Sequence, residues 1–306
     1  MPVDGLLVVD KSAGPTSHDV VSRVRSALGV RRVGHTGTLD PMATGVLVVC
    51  IGKATRLVRF LSEGEKVYQA TLRFGFATTT DDAQGEPLGP VVSACPPEEQ
   101  LRRACQALTG EIWQVPPAFS AKRVQGQRLY RLARGGARPA RAAVRVTVRS
   151  LDLHGIEGDQ ARLEVHCLAG TYVRALARDL GAALGVGGHL TALRRTWTGG
   201  FGLDRSLASD SITADRAPAH LISMSEALVD LPAVRVNQEG VDALRQGRDL
   251  DRHRVAGEFP EEPPPRVRVL DPAGRLVALA VPRGFGFQAA GLSVEPVFHA
   301  DVVLVD

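Results

Sequence analysis

Lysine is nearly absent from this chain. Only four of its 37 basic residues are Lys, leaving 33 as Arg, a bias that fits a G+C-rich genome. Cysteine is scarce too. Cys50, Cys95, Cys105 and Cys167 include no C-x-x-C pair, so neither a zinc site nor a disulfide framework is expected, and a reducing, cytoplasmic setting fits. No apolar run approaches the roughly 20 residues that a membrane helix needs. The first residues lack a basic segment followed by an apolar one, so no signal peptide is expected. No glycine-rich phosphate loop and no metal-ligand spacing occurs, which argues against phosphoryl transfer and metal catalysis.

What is present describes a soluble globular protein: 306 residues, 44% hydrophobic and 23% charged, long enough for two domains. The net charge is only +4, but its distribution is uneven. From Phe119 to Arg149 there are nine basic residues (Lys122, Arg123, Arg128, Arg131, Arg134, Arg138, Arg141, Arg145 and Arg149) and no acidic one. A solvated face normally mixes signs, so a run of one sign points to a polyanion partner.

In chain order, Leu6–Val9 reads as a short buried strand. Thr16 or Ser17 then caps a helix with Val20, Val21, Val24, Ala27 and Leu28 at helical spacing, ended by Gly29. A strand over 46–51 and a helix over 54–61 follow. Residues 66–76 alternate with period two, Tyr68, Ala70, Leu72, Phe74 and Phe76 on one face. Pro97–Leu108 has the pattern of a surface helix. Val144–Val148, Ala161–Cys167 and Leu190–Thr196 read as strands, with a helix between the last two carrying Arg174 and Arg178 one turn apart. Arg178 reads as a solvated surface residue. Residues 204–224 are polar and irregular, a linker by composition. The tail from 225 to 306 has a short helix near Gln238–Gln246 and several short strands with hairpin turns, the texture of a small β-barrel.

The chain is organised around residues 34–45, Gly-His-Thr-Gly-Thr-Leu-Asp-Pro-Met-Ala-Thr-Gly. Gly34, Gly37 and Gly45 permit backbone angles closed to other residues. Asp40 precedes Pro41 and is thereby pushed out of helical geometry. A carboxylate on a tight loop between buried elements is well placed to act as a nucleophile or as an acid or base. An isolated Asp-Pro pair, by contrast, is usually no more than a turn.

Arg32 to Gly45 closely resembles the catalytic motif of the bacterial tRNA pseudouridine synthase B family, which isomerises a uridine at position 55 in the T loop of tRNA. Similarity recurs at 5–11, 66–85, 119–136, 169–181 and 190–195. The resemblance implies an α+β fold: a mixed, mainly antiparallel catalytic domain over 1–224 with an RNA-binding insertion at about 119–149, and a PUA-like RNA-binding domain over 225–306. It implies Asp40 as nucleophile and Tyr68 stacked on the target base, assisting removal of the C5 proton. Arg174 would pair with Asp40, and His35 would fill the gap left by the extruded base. Asp82 would order the substrate, Tyr172 and Leu193 would lie against it, and Lys122, Arg128 and Arg131 would grip the RNA. The chain departs from the family at Thr79, where an acidic residue is usual, with Asp81 as a candidate substitute.

Such chemistry breaks an N1–C1′ bond and rebonds the base through C5, so the base must leave its stack. It is redox-neutral and calls for no cofactor and no metal. A carboxylate in a pocket that excludes water also needs a counter-charge to remain ionised. The expected partner is the T arm of tRNA, with no guide RNA and no membrane, for a monomeric enzyme. A base-exchanging transglycosylase and a non-catalytic RNA-binding or folding protein are the alternatives.

Overall fold

The computed structural model describes residues 3–118, 123–124, 127–128, 141–257, 262, 264–284, 288–289, 292–293 and 297–305. The chain opens with β1 (Gly5–Lys11) and α1 (Ser17–Leu28). Thr16 is the cap. Its hydroxyl accepts from the Asp19 N–H while the Asp19 carboxylate takes the Thr16 N–H, a reciprocal capping box, and Gly29 closes the helix in the left-handed region. Then come β2 (Val33–His35) and β3 (Thr44–Ile51). The helix expected over 54–61 is split into a 3-10 stretch, Gly52–Leu57, and α2 (Val58–Ser62). The Thr55 hydroxyl donates to the Gly52 carbonyl three residues back, which favours the tighter turn.

Next are β4 (Lys66–Phe74), the small hairpin β5 (Ala77–Thr78) and β6 (Pro87–Leu88), α3 (Glu98–Ala107) and β7 (Gly110–Gln114). The short pair β8 (Arg123–Val124) and β9 (Gln127–Arg128) precedes β10 (Val144–Glu157) and β11 (Gln160–Cys167). This half ends with α4 (Val173–Ala183), β12 (Gly188–Thr198), β13 (Phe201–Gly202) and β14 (Leu207–Ala208). Ten strands form one sheet in the order β14-β1-β3-β12-β4-β11-β10-β7, with β2 added to β3 and β13 to β12. Only β1–β14 and β3–β12 are parallel, so the sheet is mixed and mainly antiparallel.

The period-two pattern of each strand decides its faces. Leu7, Val9, Leu47, Val49, Leu72 and Leu163 share a core with α1, α3 and α4. The alternate residues Leu6, Val8, Val46, Val48 and Cys50 point to the other face, against Ala54, Leu57 and the C-terminal part of the chain. Residues 204–224 are not a linker. Leu207, Ile212, Ala217 and Ile222 are buried, β14 pairs with β1, and Ile222 exchanges backbone hydrogen bonds with Leu6.

The tail contains β15 (Ala233–Val236), α5 (Gln238–Arg245), β16 (Val255–Ala256), β17 (Val267–Leu270) and β18 (Leu276–Arg283). A hairpin of β19 (Gln288–Ala289) and β20 (Leu292–Ser293) leads to β21 (Val297–Val303). Among the described residues these strands form an open five-stranded sheet, β16-β15-β17-β18-β21, and not a closed barrel. No helix among the described residues is long and apolar enough to cross a membrane.

Candidate active site

Asp40 stands on the irregular segment between β2 and β3, and that segment is pinned from four directions. The Ser17 hydroxyl donates to the Leu39 carbonyl at 3.0 Å and accepts the Leu39 N–H at 2.8 Å. The Gly14 N–H reaches the Pro41 carbonyl at 2.8 Å, and the Ala43 N–H closes a turn onto Asp40 O at 3.0 Å. The Lys11 ammonium donates to Ala43 O at 2.7 Å and to Pro41 O at 3.2 Å. Arg195 supplies the fourth anchor, donating from Nε to Val46 O at 2.7 Å and from Nη2 to Gly37 O at 3.1 Å. Of the three glycines, Gly45 alone needs its freedom. It has φ 99°, and a Cβ there would stand 2.1 Å from the Arg195 carbonyl, where β3 meets β12.

Arg174, in the first turn of α4, grips Asp40 with both prongs of its guanidinium. Nε lies 2.9 Å from Oδ2 and Nη2 3.2 Å from Oδ1. The arginine side chain is only 6% exposed and the aspartate 34%. The third nitrogen, Nη1, donates to Thr80 O at 3.0 Å and lies 3.5 Å from Asp82 Oδ2. Asp82 is buried and takes the Thr80 hydroxyl at 2.6 Å and the Gln84 N–H at 3.0 Å. A fixed, charge-assisted fork of this kind holds the Asp40 carboxylate in one orientation.

The pair borders a cavity of about 270 Å³ whose lining includes Asp40, Tyr68, Tyr172, Arg174 and Leu193. Tyr68 comes from β4, and Leu193 from β12 beside it, paired with Ala70. Burial pushes the Tyr68 phenol up, against the opposing charge of Arg195. Tyr172 caps α4, and its backbone N–H and C=O are both held by the fully buried Gln114 carboxamide, at 2.8 and 3.1 Å.

Asp82 and His35 are not among the described residues that line the cavity. Asp82 stands behind Arg174. His35 ends β2, next to Thr36, which does line the cavity. Its imidazole is driven towards the neutral form by burial and then by Arg195, and its buried Nδ1 has no hydrogen-bond partner among the described residues. Thr79 uses its hydroxyl to accept the Glu86 N–H, and Asp81 turns to Arg178, so neither takes an acidic place at the cavity. Lys122 and Arg131 lie outside the described residues, and Arg128 is described only in its backbone. Of the other cations in the run, Arg145 pairs with Glu111, Arg149 with Glu65, and Arg141 donates to Pro116 O. Glu111 of β7 and Glu65, just ahead of β4, thus supply two anions that the run itself lacks.

Sequence reasoning missed Lys11, Lys66, Arg195 and Gln114 as parts of the site. Lys66 lines the cavity, and burial lowers its ammonium to about 8. A lone Lys or Gln at a strand end looks like a solvated turn. The available signal was that Lys11 and Lys66 are two of only four lysines in an arginine-rich chain.

The model of the TruB family pseudouridylate synthase N-terminal domain matches residues 25–173, and that of the tRNA pseudouridylate synthase B C-terminal domain matches 174–221. The chain belongs to the TruB family. The tRNA pseudouridine synthase B of Mycobacteroides abscessus is 45% identical over 285 residues, covering 92% of this chain and 93% of that protein. Its namesake from Thermobifida fusca is 46% identical over 285 residues, covering 90% and 94%. Among solved structures, a Cbf5-Nop10-Gar1 complex aligns with a TM-score of 0.71 at 27% identity, over 98% of this chain and 85% of that one. For a TruB-family pseudouridine synthase, the Asp40–Arg174 pair at the edge of this cavity is the feature from which a mechanism can be built.

Proposed function

We propose that this protein isomerises uridine to pseudouridine in tRNA, at position 55 of the T loop, with Asp40 as nucleophile. The observation that carries the reading is the two-pronged Asp40–Arg174 contact beside a cavity that also presents Tyr68 and Leu193. The target base leaves its stack and enters between the Tyr68 ring and Leu193. Asp40 attacks C1′ and displaces the base through N1, or adds to C6 of the ring. Both routes need the ionised carboxylate that Arg174 holds. The base, its N1–C1′ bond broken, rotates and rebonds to C1′ through C5. The carboxylate of Asp40 leaves C1′ as that bond forms or, on the other route, is eliminated from C6 afterwards. The C5 proton is lost to solvent while N1 gains one. His35, neutral and partly buried, takes the place that the base vacated.

The name shared by relatives about 45% identical over most of the chain favours tRNA without a guide RNA. A tRNA substrate supports a cytoplasmic setting. The basic residues of the 119–149 insertion would meet the phosphates of the T arm, and the tail, beginning near residue 225, would serve as a PUA-like RNA-binding unit. That boundary is supported by the Leu6–Ile222 pairing, the last link of the first sheet before β15 opens the second.

The test is release of tritium from tRNA carrying [5-³H]uridine, with primer extension to map the product. Asp40→Asn is expected to abolish release while tRNA affinity stays within about tenfold, ~1.4 kcal/mol. Normal turnover by Asp40→Asn would refute the nucleophile. Release of free uracil, or exchange with an added base, would assign a transglycosylase instead.

A further inference from the structure

Asp81 is the one described non-glycine residue with a left-handed backbone, at φ 62°. It is also buried, and burial raises its carboxyl pKa against the pull of Arg178. Its conformation is held from both ends. The carboxylate meets Arg178 Nη1 at 3.0 Å, and the carbonyl accepts the Leu190 N–H at 3.1 Å. The reversal has a geometric result. The residues on either side of Asp81 converge on a single guanidinium, Thr80 through its carbonyl and Asp82 through its carboxylate, and that guanidinium is Arg174. Asp81 itself points one helical turn further along α4, to Arg178. Arg178 also donates to the Val115 carbonyl at 2.9 Å, just where β7 leads into the insertion.

We propose that Asp81 and Arg178 form a positioning pair: by holding the reversed backbone at residue 81, they make Thr80 and Asp82 hold Arg174 on Asp40. Through Val115, Arg178 ties the root of the insertion to the same helix. The proposal rests on the reading that Asp40 and Arg174 carry the chemistry. Neither Asp81 nor Arg178 lines the cavity, so both act through Arg174. The competing view is a stabilising ion pair with no bearing on turnover, which fits the 22% exposure of Arg178.

The two views separate by single-turnover kinetics on full-length tRNA, with KM measured alongside. Asp81→Asn keeps a side chain that tolerates the left-handed region while deleting the charge. It is expected to lower kcat by about 10- to 100-fold, the scale of a misaimed catalytic group, with little change in KM. Arg178→Gln should behave alike, and the double variant should be no slower than either single one, as for two residues acting as a unit. In an Arg174→Lys background, Arg178→Gln should add little further loss, because there is no fork left to aim. Asp81→Gly relieves the backbone but removes the carboxylate, so it should match Asp81→Asn. Circular dichroism and a urea midpoint establish that each variant is folded. Wild-type kcat in folded Asp81→Asn and Arg178→Gln, with only the urea midpoint lowered, would overturn the proposal. Full activity of Asp40→Asn or Arg174→Ala would overturn the reading beneath it.

Discussion

Removing the Lys11 ammonium should slow the reaction far more than it unsettles the fold. Lys11 is wholly shielded from water, and its Nζ serves the carbonyls of Ala43, Ser12 and Pro41 at 2.7, 2.8 and 3.2 Å. Burial, opposed by the charge of Asp40, lowers its pKa from 10.5 to about 8. That gap corresponds to ~3 kcal/mol spent on keeping the ammonium charged at neutral pH. Lys11→Met abolishes this cost together with bonds worth about 1.5–3 kcal/mol each. Pro41 O retains the Gly14 N–H at 2.8 Å, so two carbonyls lose their partner. The loss is therefore about 3–6 kcal/mol against a gain of ~3, a net destabilisation of about 0–3 kcal/mol by urea titration. Turnover should suffer more, because Ala43, whose carbonyl is freed, closes the turn that carries Asp40. A drift of about 1 Å in a reacting group costs on the order of 100-fold.

The same residue gives a pH signature with a definite sign. Folded Lys11 releases its proton near pH 8 and unfolded Lys11 near 10.5. Between these values the unfolded chain binds more protons, so this residue makes stability rise with pH. Over the same window the loop loses its charged anchor and turnover falls. Activity and stability should thus part company above pH 8. Lys11→Arg keeps its charge and should move the alkaline limb of kcat upward. Lys66, lowered to about 8 as well, is separated by a Lys66→Met control. Near-normal kcat in Lys11→Met, with an unmoved alkaline limb in folded Lys11→Arg, would refute the anchoring argument.

Other outcomes follow from named contacts. Tyr68→Phe should bind tRNA almost normally, whereas Tyr68→Leu should lose about 1–3 kcal/mol of stacking in a binding titration. Gln114→Leu strands the Tyr172 N–H, while the Tyr172 carbonyl keeps the Leu176 N–H. Thermal unfolding should report a loss of about 1–3 kcal/mol, with kcat reduced because Tyr172 opens the helix that carries Arg174. Neutralising Arg128, Arg131 and Arg134 together should flatten the slope of log K against log [salt] by roughly 2, and an unchanged slope would move the RNA-gripping surface elsewhere.

The legible parts of this fold are those with a period. Alternation placed β4 and put Tyr68 on its apolar face; 3.6-residue spacing placed α1 and α4; and a long motif picked out the Asp40 loop. What escaped was whatever lacked a period. Leu207, Ile212, Ala217 and Ile222 are all buried, yet they recur every five residues, which matches neither helix nor strand. Short 3-10 turns and single bridges bury them one at a time, so a packed segment read as a linker. Arg178 read as solvated because two of its three partners, Asp81 and Val115, lie 97 and 63 positions away in the sequence. The anions that balance Arg145 and Arg149 were likewise invisible, since they come from Glu111 on β7 and from Glu65, just ahead of β4.

The same logic explains why the tail matters to a site it does not touch. β1 and β3 are apolar at nearly every position, which in an isolated antiparallel sheet would leave a greasy outer face. One set of residues, Leu7, Val9, Leu47 and Val49, backs α1 and so supports the ground on which Ser17 and Lys11 stand. The alternate set, Leu6, Val8, Val46 and Val48, is covered by the 3-10 stretch after β3 and shares its core with Leu270, Leu276, Leu279 and Leu304 of the tail. Outside that core, Arg56 donates to Val303 O, and Arg59 and Arg266 both reach Asp301 while standing over Phe60 at 4.6 Å. The strand that ends in Lys11 is thus buried between two layers, one bearing the anchors of Asp40 and the other being the tail. Burial on both faces fixes the register of β1, and with it the height at which Lys11 meets the loop. The tail therefore braces β1, and through Lys11 the loop that carries Asp40.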